Sequence, residues 1–221
     1  MGEMVFNERL TGGKDWATIV FILCFAVIAI NKAFSENRFS EFLKLAYSDK
    51  YNKIYKESGN LGDSFTISFF IVQVISFGFF CQLLLSYFNL ASKTNWVTFA
   101  RLSTFIAVFI LCKYLLEKII ATSFKIEEFN EQFNLIKVNY RTYAALLLLP
   151  VNVFLFYNDV SNILIIRIIT GVIIGGIIGS YLISLRIFQK LIIGKVFYFI
   201  LYLCALEIAP YYFLYYWFTK R

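Results

Sequence analysis

Histidine does not occur anywhere in the 221 residues. Its absence excludes His-based metal centres, Ser–His–Asp hydrolase chemistry and histidine-dependent membrane phosphatases. Cysteine is sparse: Cys24, Cys81, Cys112 and Cys204 lie far apart, each inside an apolar run. They have neither metal-ligand spacing nor a disulfide pattern, so they are expected to pack as small buried hydrophobes, with no metal and no cofactor. A cleavable signal peptide is not expected. The first apolar run begins near Trp16, behind Glu3, Glu8, Arg9, Lys14 and Asp15, without a basic leader or a small-residue cleavage site. The connections between apolar runs leave no room for a soluble domain.

What the chain does contain is hydrophobic side chains, 60% of the total, with a mean hydropathy of +0.70. The expected fold is an all-α integral membrane protein. It is read as a single six-span transmembrane helical bundle with one or two amphipathic interfacial helices. The spans are expected at about 16–34, 65–90, 96–120, 142–157, 163–185 and 196–218, the fourth being the shortest. Lys and Arg concentrate in the first, third and fifth connections (Lys32 to Lys56, Lys118 to Arg141, Arg186 to Lys195). The positive-inside rule therefore puts those connections in the cytoplasm and both termini outside. A net charge of +7 distributed in this way points to membrane topology, and nucleic acid is not an expected partner.

Within the first connection, Phe39, Phe42, Leu43, Ala46, Tyr47, Ile54 and Tyr55 recur at three- and four-residue steps, interleaved with Arg38, Lys44, Lys50, Lys53 and Lys56. The pattern predicts an amphipathic helix at about 38–56. It would lie on the inner leaflet with its lysines towards anionic lipid headgroups, or else present a docking face. The segment 124–140, with Phe129, Phe133, Ile136 and Tyr140 set against Glu127, Glu128, Glu131 and Lys137, reads as a second such helix leading into the fourth span.

The polar residues inside the spans carry the functional expectations. Glu207 sits midway along the sixth span, where an acid is costly unless protonated or paired. Pro210 leaves the carbonyl of Leu206 without its helical donor beside it. Arg101, Arg167, Asn152 and Gln82 fall in the outer half of the third, fifth, fourth and second spans, and Tyr211 shares the face of Glu207. Together these six form a candidate intramembrane polar cluster. Either Glu207 pairs Arg101 or Arg167 structurally, or one arginine holds Glu207 while the other binds an anionic group such as a lipid phosphate or a substrate carboxylate. Both arginines are also near enough to the interface to snorkel outward. Near the inner end of the third span, Lys113 and Glu117 stand one turn apart and read as an interfacial pair. Gly171, Gly175 and Gly179 repeat every four residues along the fifth span, a helix-packing signal for another span of the same chain or for a second protein.

The last span, VFYFILYLCALEIAPYYFLYYW (Val196–Trp217), resembles the closing signature of a family of uncharacterised polytopic inner-membrane proteins from the Bacteroidota. The segment FNLIKVNYRTYAALLLLPVNVFLFY (Phe133–Tyr157) is similar to that family's basic, Asn-containing entry into a Leu-rich span. The resemblance implies an inner-membrane address and no established activity. By analogy it also implies service in the envelope machinery of that phylum, gliding and dedicated protein secretion among it.

Three functional expectations follow. The first is a non-enzymatic membrane subunit that packs with other membrane proteins in a larger assembly. The second is a small transporter or lipid-handling protein using the Arg101, Arg167 and Glu207 layer. The third is a membrane enzyme relying on Glu127, Glu128 and Glu131, whose spacing suits a solvated helical face equally well.

Overall fold

In the computed structural model the described residues are 14–46, 51, 63–123 and 127–158, together with isolated positions at 168–169, 171–172, 175–176, 179 and 216. All regular structure among the described residues is helical, with no strand. Helix α1 spans Asp15–Phe34 and α2 spans Glu36–Leu43, followed by a 3-10 turn at Lys44–Ala46. Helices α3 (Ser64–Tyr87), α4 (Trp96–Ser123) and α5 (Glu127–Tyr157) complete the bundle. Three helical segments are long and apolar enough to cross a membrane: Asp15–Phe34, Ser64–Tyr87 and Asn130–Tyr157. The chain is therefore a membrane protein, although the expected count of six spans is reduced to these three among the described residues. The expected spans at 163–185 and 196–218 lie outside them, apart from those isolated positions.

Apolar residues surround α1, and packing selects one stripe of them. Ala17, Phe21 and Cys24 are buried, while Ile19, Ile22, Leu23 and Ile30 remain exposed on the face that lipid would cover. Helix α3 is the centre of the bundle and contacts α1, α4 and α5. It ends in a Schellman motif. Asn89 takes a left-handed conformation (φ 57°), its N–H donates to Ser86 O and the N–H of Leu90 donates to Leu85 O. Six residues later Asn95 caps α4, its Oδ1 accepting from the N–H groups of Val97 (2.9 Å) and Thr98 (3.3 Å). The Trp16 indole donates to Thr94 O (3.0 Å), and the Thr18 and Tyr157 hydroxyls bond to each other. The start of α1, the end of α3, the start of α4 and the end of α5 thus share one end of the bundle. Successive long helices alternate in direction, and α3 runs parallel to α5.

Two expectations about the polar segments need correction. The apolar side of α2 does not lie on lipid: Phe39, Phe42 and Leu45 join Phe65 and Phe69 of α3 and Tyr51 in a buried cluster against the bundle. The Phe65 and Phe69 rings, one turn apart on α3, offer an aromatic surface that outcompetes the leaflet for that face. Nor is 124–140 a separate surface helix. From Glu127 the helix continues unbroken through Pro150 to Tyr157, and Asn130, Phe133, Asn134, Ile136 and Asn139 are all buried. The cysteines also depart from a uniformly buried set. Cys24 is buried, Cys81 partly so, and Cys112 is exposed on α4, while Cys204 lies outside the described residues.

Candidate functional site

Of the six cluster residues, Glu207, Arg167 and Tyr211 lie outside the described residues. The other three are not brought together. Gln82, on the last turns of α3, donates through Nε2 to Ser92 O (3.2 Å) and Asn95 O (2.9 Å), closing the α3–α4 turn. Asn152 of α5 reaches across to α3, its Nδ2 donating to Ser76 O (2.7 Å) and Ser76 Oγ (3.3 Å). Arg101 is exposed on α4 and pairs with none of the described residues. Gly171 and Gly175 are exposed, and no described residue lies within 4 Å of a Cβ built at Gly171, Gly175 or Gly179. The expected close approach of another span to this face is therefore absent among the described residues.

The polar groups that the bundle does bring together lie elsewhere. Along the α3–α5 interface, Thr142 Oγ1 donates to Gln73 Oε1 (3.1 Å), and Ser76 Oγ donates to Ala145 O (2.8 Å). The second bond falls beside the turn that Pro150 disturbs, since proline cannot donate to the carbonyl of Leu146. At the other end from Trp16, Lys137 Nζ bonds both carboxylate oxygens of Glu117 at 3.2 and 3.4 Å. The Glu117 side chain is 4% exposed and that of Lys137 17%, and the lysine also lies 4.8 Å above the Phe133 ring. The carboxylate expected to pair with Lys113 along α4 is thus held from α5. Two facing helices joined by a short connection bring the residues together, and no local spacing marks a pair that lies 20 residues apart in the sequence.

A third polar contact fixes α2. Arg38 pairs with Asp63, donates to Tyr51 Oη (3.3 Å), and lies 4.4 Å over the Phe65 ring. Burial works against its charge, but the hydrogen bonds to Asp63 and Tyr51 outweigh that and raise its pKa, so the guanidinium stays charged. Asp63 sits at the N-cap of α3 without capping it, because its carboxylate is turned to Arg38. Arg38→Ala is expected to cost about 1–2 kcal/mol, since it removes an ion pair and a ring contact that are only half-buried. Limited trypsin digestion checks this. Cleavage after the exposed Lys44 should accelerate as α2 undocks, and an unchanged rate would show that Phe39 and Phe42 hold the helix alone.

These features define a helical membrane protein whose described polar residues tie its helices together at three levels. By sequence it belongs to the family described as Domain of unknown function (DUF4271), whose model matches residues 17–218. No curated protein and no solved structure matches the chain.

Proposed function

We propose that this protein is a non-enzymatic integral membrane subunit that packs with other membrane proteins in a larger bacterial inner-membrane assembly of the cell envelope, protein secretion being one candidate. The observation that carries the reading is the glycine face of the fifth predicted span. Gly171, Gly175 and Gly179 repeat every four residues, and the described residues leave that face open. In lipid, helices associate through close backbone approach at such faces, because apolar surface alone gives no drive. The exposed side chains of Ile168 and Val172 flank it. In this reading six spans cross the membrane, the basic connections face the cytoplasm among anionic headgroups, and both termini lie outside.

Gly175→Leu is the direct test. Tagged wild-type protein purified from native membranes in mild detergent should bring down stoichiometric partners, and the variant should accumulate normally but lose them. A wild-type particle that is monodisperse and free of partners in several mild detergents would overturn the proposal. The second reading, a small transporter or lipid-handling protein, depends on Glu207 working with Arg101 or Arg167. Its own test is Glu207→Gln, which should abolish transport while the fold persists.

A further inference from the structure

Between α3 and α5 a polar seam is bracketed by two aromatic clusters. On one side Phe42, Phe65 and Phe69 pack with Tyr143, and on the other Phe79 packs with Phe21, Phe99 and Phe156. The seam between them holds Gln73, Ser76, Thr142 and Asn152, exposed by 0%, 1%, 6% and 0%. Gln73 and Ser76 lie roughly 16–21 Å before the end of α3 at Tyr87. That is near the middle of a hydrocarbon layer about 30 Å thick. Lipid there offers neither donors nor acceptors, so the protein or a bound molecule must satisfy every polar atom.

Within the seam two atoms are left unmet by the described residues. Gln73 Oε1 accepts from Thr142, but Gln73 Nε2 has no acceptor. Asn152 Nδ2 donates to Ser76, but Asn152 Oδ1 has no donor. Turning over the Gln73 amide exchanges which of its atoms is left, without removing the deficit. Asn152 is left with an acceptor, and Gln73 with a donor or, turned over, an acceptor. A carboxylate or phosphate answers Asn152 in neither arrangement, and a cation answers both groups only with the Gln73 amide turned over. Water, donor and acceptor alike, serves either arrangement, and buried water customarily satisfies such polar groups.

We propose that the Gln73–Ser76–Thr142–Asn152 seam binds ordered water at mid-membrane depth, enclosed by the aromatic clusters on either side. The site needs no partner protein and stands apart from the subunit reading. Hydroxyl-radical footprinting by X-ray irradiation tests it, on the full chain in lipid nanodiscs prepared in 18O-water. Bound water generates radicals where it sits and marks its neighbours. Leu149 and Cys24, both 1% exposed in one buried cluster, are the reporters, and Phe133, 0% exposed and nine residues before Thr142 along α5, is the dry control. With each residue corrected for its intrinsic reactivity towards hydroxyl radical, oxidation of Leu149 and Cys24 should exceed that of Phe133 severalfold. It should fall to the Phe133 level in Asn152→Leu and in the double variant Gln73→Met with Thr142→Val. If one variant fails to accumulate, the other decides. Reporters no more oxidised than Phe133 in the folded wild type, or unchanged oxidation in a folded variant, would overturn the site.

Discussion

Lys137→Met is expected to destabilise the bundle by about 3–5 kcal/mol, because it strands Glu117 as an uncompensated charge inside protein. The pair spans α4 and α5, and the Glu117 side chain retains only 4% of its exposure. Restoring solvent to that carboxylate means separating the two helices. Glu117→Leu combined with Lys137→Met removes both charges and should return most of the loss, since apolar residues of similar volume commonly replace a buried ion pair at little cost. Apparent melting temperature in detergent distinguishes the cases. If the double variant melts as low as the single one, Lys137 contributes through its packing on Phe133 and not through the ion pair.

Gly78→Leu should have a comparable effect through a different cause. Gly78 is buried on the side of α3 that faces α4, and a Cβ there would overlap Ser103 Oγ and touch the Phe99 ring at 3.4 Å. Four added carbons must push α4 away from α3, next to the Phe79–Phe99 ring contact at 4.4 Å. A loss on the order of 3 kcal/mol is expected, at the upper end for overpacked cores. Gly78→Ala provides the control. The Ser103 hydroxyl can rotate away, and alanine's helix propensity offsets the remaining crowding by about 1 kcal/mol. The same melting measurement should show Gly78→Ala near wild type. A large loss for alanine would mean that Ser103 cannot turn.

The long apolar helices were legible because hydropathy and length report directly on what a membrane requires. The expected start of α1 near Trp16 and the end of α5 at Tyr157 agree with the structure to within a residue. The first half of α5 was not legible as part of a spanning helix. Asn130, Asn134 and Lys137 lower its hydropathy, and a sequence pattern cannot distinguish a polar face turned to water from one turned to a neighbouring helix. The same ambiguity hid the docking of α2, whose aromatic face suits lipid and protein equally until Phe65 and Phe69 are seen beneath it. Gln82 and Asn152 stood out as polar residues within apolar runs, but their partners were not legible. Helical rise fixes the level of a side chain, whereas the rotation of each helix about its axis decides what it meets. Ser76 and Gln73 drew no notice because a lone serine or glutamine in an apolar run has no spacing to mark it.

The parallel pairing of α3 and α5 also dictates an order of assembly. Gln73 and Ser76 meet their partners 69 residues further along the chain, with all of α4 between. At a synthesis rate of about 5–20 residues per second, roughly 3–14 seconds separate the emergence of the two sides. For that interval the polar atoms of α3 enter the bilayer ahead of the helix that will receive them. A newly made chain halted before α5 should therefore be the form most exposed to membrane quality-control proteases.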